Sequence, residues 1–341
     1  MEIFLGLWGE LPRGFSVLAP MEDVTDTVFR QIVLDAGGPD LLMTEFTSTD
    51  GLCSVARSKV VGRLRFAQKE RPLVAQVWGT RPEHFLRVAR EVKEMGFDGL
   101  DINMGCPVRK IIKGGACGAL INNPSLAGEL ISAAREGAGG IPVSVKTRIG
   151  VARPVPEEWL GFLLSQGIGA LSVHGRTVSQ QSEGLADWSA VSLAVKLRDA
   201  AGVPTRIVGN GDVRTPQTFQ QRLTETCADG IMIGRGIFEN LFLFRAIREE
   251  RTGSTGLTEL SHLSPPEKVL LFRKHLAFHR ETWGEHGNFN MLKKFAKTYL
   301  RAFAGARDLI DSVMHTRKYA EALDILDGWL ALHEEEHHAV G

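Results

Sequence analysis

No two of the four cysteines stand in C-x-x-C spacing: Cys53, Cys106, Cys117 and Cys227 are scattered along the chain. That indicates neither a zinc site nor a redox dithiol, so no metal is expected and a reducing compartment, the cytoplasm, fits best. No apolar run reaches the roughly 18 residues a membrane span needs. The opening Met1 to Glu10 is short, acidic and followed by Pro12, which fails the pattern of a signal peptide. Net charge is also missing, because 40 Lys plus Arg meet 40 Asp plus Glu. An indiscriminate polyanion binder is therefore excluded, and any surface for nucleic acid must be built regionally. What the 341 residues do have is a 43% hydrophobic, 23% charged composition, enough to bury a real core. The length exceeds the size at which single cores stop growing, so one large domain, alone or with a small one, is expected.

Eight short apolar or β-branched runs precede residue 240: Phe15 to Ala19, Leu41 to Glu45, Leu73 to Val77, Gly99 to Asn103, Val143 to Arg148, Ala170 to His174, Arg206 to Gly209 and Gly230 to Ile233. Helical stretches lie between them, several opened by a proline, as at Arg81-Pro82, Pro124-Ser125 and Thr215-Pro216. Eight strands alternating with eight helices over about 240 residues is the arithmetic of an α/β fold of the (β/α)8 TIM-barrel type. An open doubly wound sheet is the rival, but no G-x-G-x-x-G follows the first strand. Beyond about residue 255 strand signals vanish. Helices are expected from Ser264, over Phe289 to Ala304, and from Leu309 to His333 as one or a pair. The sequence thus divides into a barrel domain over 1–250 and a small all-helical domain over 260–341, joined by the Gly- and Ser-rich stretch 252–258.

In such a barrel the active site collects at the carboxyl ends of the strands. Gln76, Asn103, Lys146, His174 and Asn210 end five different strands, a convergence that a purely structural barrel does not need. The two glycine loops Val208-Gly-Asn-Gly-Asp-Val and Ile233-Gly-Arg-Gly follow strands seven and eight, where barrels commonly hold a phosphate; Arg235 adds positive charge. Lys146 either pairs with a carboxylate such as Asp101 or stabilises an anionic ligand. His174 is either a structural histidine or a ligand contact. Cys106, in Asn103-Met-Gly-Cys-Pro, stands past strand four, where a mostly protonated thiol can serve as a general acid as well as a nucleophile; the other three cysteines read as small buried hydrophobes.

The helical region is divided in charge. Residues 265–310 hold nine Lys or Arg against four acids, and 311–341 hold two against seven. Lys293, Lys294, Lys297 and Arg301 fall on one side of the expected helix, with Phe295, Tyr299 and Phe303 nearby, which reads either as a solvated face or as a phosphate-gripping one.

Taken in order, Ala19-Pro-Met-Glu-Asp-Val-Thr-Asp, Thr44-Glu-Phe, Ala75-Gln-Val-Trp-Gly, Asp101-Ile-Asn-Met-Gly-Cys-Pro, Val145-Lys-Thr-Arg, Val173-His-Gly-Arg-Thr, Gly209-Asn-Gly-Asp and Ile233-Gly-Arg-Gly resemble the tRNA-dihydrouridine synthases over residues 15–240. The resemblance implies an FMN enzyme that takes reducing equivalents from NADPH, or NADH, and reduces the C5=C6 bond of particular uridines in tRNA. It implies that Pro20 and Met21 contact the flavin ring, that Gln76 and Asn103 hydrogen-bond around it, and that Lys146 faces its N1 and O2 edge with His174 close by. Asn210, Gly211, Asp212, Gly234 and Arg235 would hold the ribityl and phosphate end. Cys106 would protonate C5 while flavin N5 delivers hydride to C6. Arg176 would meet the substrate at the rim, and Lys293, Lys294, Lys297 and Arg301 would grip tRNA phosphates while the target base is drawn out of its stack. No protein partner is implied. The stretch from Met291 to Tyr299 matches the family only loosely, which leaves the target uridine undefined, and the segment up to Pro12 carries no expected role.

Two other readings share parts of this pattern. A barrel flavoenzyme acting on a small molecule, such as a dihydropyrimidine or dihydroorotate, would keep the flavin residues but has no use for a basic helical domain. A catalytically dead barrel serving as a tRNA-binding module would not need Cys106 and Lys146.

Overall fold

The computed structural model describes residues 3–253, 259–285 and 287–338. Among them nine strands follow one another: β1 (Phe15–Leu18), β2 (Leu42–Met43), β3 (Thr47–Ser48), β4 (Leu73–Trp78), β5 (Gly99–Met104), β6 (Val143–Arg148), β7 (Ala170–His174), β8 (Arg206–Asn210) and β9 (Gly230–Ile233). All pair in parallel, in the order β1-β9-β8-β7-β6-β5-β4-β2. Strands β2 and β3 both pair with β4, through Leu42↔Leu73 and Thr47↔Val77, and so share one strand position. A parallel bridge from Val17 to Leu41 brings β1 back to that position. The result is an eight-position (β/α)8 barrel, as the sequence leads one to expect, with β3 the one short piece no apolar run announces.

The helices are α1 (Leu7–Glu10), α2 (Thr27–Asp35), α3 (Thr49–Leu52), α4 (Pro82–Glu94), α5 (Arg109–Lys113), α6 (Pro124–Ala138), α7 (Pro156–Leu164), α8 (Ser189–Ala201), α9 (Pro216–Thr226), α10 (Leu243–Arg251), α11 (Pro265–Trp283), α12 (Phe289–Tyr299), α13 (Ala306–His315) and α14 (Tyr319–His338). Their starts follow local chemistry. Proline occupies the first turn of α4, α6, α7, α9 and α11, where its missing N–H has no partner to lose. The Asn123 and Thr215 side chains accept the Leu126 and Thr218 amides at the heads of α6 and α9. Helix α4 buries Phe85, Val88, Ala89 and Val92, the three-and-four spacing of a single face. None of the described helices is long and apolar enough to cross a membrane.

The chain divides into two compact units, Met1–Thr27 with Pro39–Gly234, and Val28–Gly38 with Arg235–Gly341. The first holds every strand. Side chains on alternate strand residues face the barrel interior, and that interior has two layers. Phe15, Val17, Val74, Ala170, Val208 and Met232 form the apolar layer with Leu41 and Met43. The next inward positions toward the carboxyl ends of β4, β7 and β8 are the polar Gln76, Ser172 and Asn210. The amino end is stoppered by α1. Trp8 is fully buried in the same core, 6.0 Å from the Phe15 ring, and Arg206 Nε donates to its carbonyl at 3.1 Å. The segment before Pro12 therefore has a packing role that no motif reveals, and truncating a buried Trp of this kind costs about 3–5 kcal/mol.

The second unit is centred on aromatic packing. Phe29 lies 5.0 Å from Phe295 and 5.9 Å from His275, whose Nδ1 is 3.0 Å from the Tyr299 hydroxyl, and His279 pairs likewise with Tyr319 at 2.7 Å. Helix α12 stops at Tyr299 rather than Ala304, because Ala302 and Gly305 adopt left-handed backbone at φ 64 and 76. The region expected as one helix or a pair is the pair α13 and α14. Of the expected linker, residues 254–258 lie outside the described residues.

Candidate active site

Within the upper layer Gln76 belongs to a hydrogen-bonded chain whose direction is dictated from its foot. Asp101, fully buried on β5, accepts from Ser144 Oγ at 2.6 Å and from Gln76 Nε2 at 2.7 Å. An ionised carboxylate only accepts, so the Gln76 amide must turn its NH2 toward Asp101 and its oxygen away. That oxygen accepts from Asn103 Nδ2 at 2.9 Å, which leaves Asn103 Oδ1 to accept the backbone amides of Gly105 and Cys106 at 3.0 and 2.9 Å. The Gly105–Cys106 turn is also held by Arg148, whose Nε donates to the Gly105 carbonyl at 2.7 Å and whose Nη1 donates to the Thr177 and Gln181 carbonyls. Asp101 and Arg148, which stand in the Asp101-Ile-Asn-Met-Gly-Cys-Pro and Val145-Lys-Thr-Arg segments, thus position the cysteine loop.

Burial sets the acidities. Desolvation raises Asp101 to about 6, against the lowering effect of the Ser144 and Gln76 hydrogen bonds and the Lys146 charge. Lys146 is lowered to about 8, first by desolvation and then by repulsion from Arg148, with Asp101 and Cys106 pulling the other way. Its Nζ donates to Asn210 Oδ1 at 3.3 Å, while Asn210 Nδ2 donates to the Met232 carbonyl at 2.9 Å. Cys106 is lowered to about 7, chiefly by a hydrogen bond from the Cys117 thiol, with the Val108 backbone and Arg148 helping and desolvation opposing. On the facing side Glu45, 5% exposed, is raised to about 7 by desolvation and by Asp26 and Glu22, although it accepts the Asp23 amide at 2.7 Å.

His174 and Arg176 form a second polar group at the ends of β7 and β8. A guanidinium cannot accept, so the 3.1 Å contact from Arg176 Nη1 makes His174 Nε2 the acceptor and leaves the ring proton on Nδ1. Arg176, expected at the rim, is 2% exposed: it meets both Asp212 carboxylate oxygens at 2.6 and 2.7 Å and donates to the Gly184 carbonyl at 2.6 Å. Asp212 also accepts the Ala186 amide at 2.8 Å. Gly211, at φ 137, could not carry a side chain, since its Cβ would sit 2.5 Å from Ala186 Cβ. At Gly234, by contrast, a Cβ would meet nothing nearer than Ala19 and Met21 at 3.6 and 3.7 Å, so the backbone there is open to approach, beside the half-buried Pro20 and Met21. Arg235 begins the second unit and is exposed.

The four basic residues of the helical region do not act alike. Lys293 donates to the Met314 carbonyl at 3.2 Å and to that of Thr316, satisfying the end of α13. Arg301 lies beyond α12 and donates to the Glu239 carbonyl. Lys294 and Lys297 are exposed, Lys294 lying 5.6 Å over the Phe295 ring. Among the described residues no cluster of three or more His, Cys, Asp or Glu is arranged to hold a metal.

This arrangement can be compared with known proteins. The sequence profile described as dihydrouridine synthase matches residues 17–334. The "Probable tRNA-dihydrouridine synthase 2" of Bacillus subtilis (strain 168) is 44% identical over 324 residues, covering 94% of this chain and 95% of that protein. The "Probable tRNA-dihydrouridine synthase" of Staphylococcus aureus (strain COL) is 40% identical over 333 residues, covering 96% and 97%. Among solved structures, a 2-naphthoyl-CoA reductase complex aligns with TM-score 0.55 at 11% identity over 74% of this chain and 52% of its own, and histamine dehydrogenase from Rhizobium sp. 4-9 with 0.54 at 12% over 76% and 48%; these likenesses bear on the barrel fold alone. With a family profile matched over nearly its whole length and relatives of this identity and coverage, the chain belongs to the dihydrouridine synthase family, a family of oxidoreductases.

Proposed function

We propose that this protein is a tRNA-dihydrouridine synthase that uses FMN and NADPH, or NADH, to saturate the C5=C6 bond of uridines in cytoplasmic tRNA. The observation that carries the reading is the placement of Cys106, whose backbone amide is held by Asn103 Oδ1 at the mouth of a barrel that also brings Gln76, Lys146 and Asn210 there, with Cys117 and other neighbours lowering the thiol pKa to about 7. The donor set fits a flavin with an anionic ring edge at one end and a phosphate at the other. A half-buried ammonium at Lys146 with a lowered pKa gains from an anionic neighbour, because the neighbour restores its charge. The open backbone at Gly234 lets a ligand approach the strand end, and Arg235 follows it in the chain with a cation.

In this reading Pro20 and Met21 pack on the ring, and the Gln76 and Asn103 amides and Lys146 line its polar edge, with His174 close by and accepting from Arg176. Asn210, Gly211, Asp212, Gly234 and Arg235 serve the ribityl and phosphate end; since the Asp212 carboxylate is committed to Arg176 and Ala186, its contribution there is its backbone. Arg176 acts on the substrate through His174 rather than by touching it. When bound, FMN carries electrons from the reduced nicotinamide to C6 of the base as hydride. Cys106 gives its proton to C5, where negative charge builds, and a positioned acid of this kind is worth about 10² to 10⁴ in rate. Residues 1–250 then make up the catalytic domain and 260–341 the tRNA-binding domain, with Lys294 and Lys297 as the exposed phosphate-binding cations.

The test is single-turnover oxidation of prereduced enzyme by unmodified tRNA. Cys106→Ala is expected to keep cofactor and tRNA binding and to lose most dihydrouridine formation, whereas Cys53→Ala and Cys227→Ala keep it. An alanine variant that reoxidises as fast as wild type would show that the proton comes from elsewhere.

A further inference from the structure

The proposed chemistry leaves one buried nucleophile unused. Cys117 opens the short 3-10 segment Cys117–Asn122, is fully buried, and holds left-handed backbone at φ 53, a conformation that costs any non-glycine residue about 1 kcal/mol or more. Its thiol and the Cys106 thiol perturb one another, Cys117 lowering the pKa of Cys106 and Cys106 helping to raise that of Cys117. The two loops lie side by side: a Cβ added to the neighbouring Gly118 would stand 3.2 Å from the Cys106 carbonyl oxygen. Two thiols 11 positions apart in the chain and carried by adjacent loops meet the first condition for a disulfide, that the chain segments bearing them lie side by side. Cys106 is 8% exposed, so it can be reached by a small oxidant, whereas Cys117 is fully buried.

We propose that Cys106 and Cys117 form a peroxide-oxidisable pair, in which Cys117 captures the first oxidation product of Cys106 as a reversible disulfide. Hydrogen peroxide supplies the two oxidising equivalents. The Cys106 thiolate attacks one peroxide oxygen: an S–O bond forms, the O–O bond breaks, and the departing hydroxide takes up a proton to leave as water. Cys117 sulfur then attacks Cys106 sulfur. The S–S bond forms, the S–O bond breaks, and the Cys117 proton leaves with the hydroxyl as a second water. Two thiols are oxidised, one peroxide is reduced, and the charge balances. The ordering follows from the environment: the hydrogen bonds and Arg148 favour the thiolate at Cys106, while burial keeps Cys117 protonated until the sulfenic acid is beside it. Capture at that stage keeps Cys106 from the sulfinic and sulfonic acids, which thiols do not reverse.

Treating purified protein with a few equivalents of hydrogen peroxide, alkylating the remaining thiols and digesting with trypsin reads this directly, because Arg109, Lys110 and Lys113 lie between the two cysteines and separate their peptides. The expected product is a peptide pair joined through Cys106 and Cys117, lighter by two hydrogens, split by dithiothreitol, with Cys53 and Cys227 still alkylated. Cys117→Gly suits the left-handed position and Cys117→Ala its volume; in either variant Cys106 is expected as sulfinic or sulfonic acid under the same treatment. Wild-type protein in which Cys106 is over-oxidised while Cys117 remains alkylatable would overturn the proposal, as would a Cys117 variant no more prone to over-oxidation than wild type. The readout needs neither tRNA nor turnover, so its failure is distinct from a failure of the proposed activity.

Discussion

Replacing Asp101 by Asn should make the protein more stable at neutral pH, although it removes an ion from the foot of the active-site chain. Asp101 is fully buried, and desolvation holds its carboxyl at about 6 instead of the usual 3.8. Each factor of ten in an acid constant is worth about 1.4 kcal/mol. A carboxyl whose folded pKa lies above its unfolded one favours folding fully below pH 3.8, and the advantage is lost as pH rises through about 6; above that the buried anion costs about 3 kcal/mol relative to a neutral group. Asparagine keeps the shape: its Oδ1 can accept from Gln76 Nε2, and its NH2 can donate to Ser144 Oγ once that hydroxyl rotates. Lys146 loses an attractive neighbour, which takes back part of the gain. We expect a melting temperature higher by on the order of 5 °C at pH 7.5, a difference that shrinks toward zero at pH 4, measured by calorimetry of both proteins across that range. A variant equally or less stable than wild type at pH 7.5, or a gain that does not change between pH 4 and 7.5, would refute the claim that the buried charge is what Asn relieves.

Arg235→Ala is expected to lower retention of FMN through gel filtration with little change in the melting temperature, as the guanidinium is exposed; unchanged retention of the yellow chromophore would remove Arg235 from the phosphate site. Lys294→Ala with Lys297→Ala should weaken tRNA binding and flatten its dependence on log salt by about 0.9 or less for each phosphate that is no longer neutralised. Lys293→Ala should instead reduce stability by about 1 kcal/mol, because the carbonyls of Met314 and Thr316 lose their donor; equal effects of all three on tRNA binding would contradict this division. His275, fully buried and held down to about 3 by desolvation and the neighbouring His279, contributes stability above pH 6.5 that is lost as pH falls toward 3, so acid should release the aromatic centre of the helical unit, followed by near-UV dichroism, and His275→Gln should flatten that transition.

Much of this barrel is legible in the sequence because strand boundaries there coincide with changes of chemistry. Val143 to Arg148 and Ala170 to His174 are strands over those same residues, since each is a β-branched or apolar run that ends where a charged or imidazole side chain must reach the mouth. The residues that hold those side chains are harder to read. Asp101 is a single charged residue inside β5 and Arg148 ends β6 two residues after Lys146, and nothing in one sequence distinguishes a carboxylate that orders an amide chain from one that pairs with a lysine. The signal that could have found Asp101 is its period: it stands two residues before Asn103 and so shares the inward face. Helical spacing misled in the other direction at Arg301, where the apolar pattern runs on past Tyr299 but Ala302 turns left-handed and carries the arginine off the helix.

The same barrel shows why the polar layer can sit above an apolar one without loosening it. A chain of neutral amides inside a core has two directions of nearly equal energy, and a core that accepts both would hold the Gly105–Cys106 turn half of the time. Asp101 removes the choice, because a carboxylate that accepts from both Ser144 and Gln76 leaves only one orientation of Gln76, hence of Asn103, in which no buried donor lacks an acceptor. Reversing Asn103 would set its NH2 against the Gly105 and Cys106 amides and forfeit two hydrogen bonds, a cost of about 1–3 kcal/mol for each buried group left unpaired. The strained electrostatics of Asp101 and the placement of the Cys106 thiol are therefore one feature: the desolvation cost at the foot of the chain is what gives its upper end a single position.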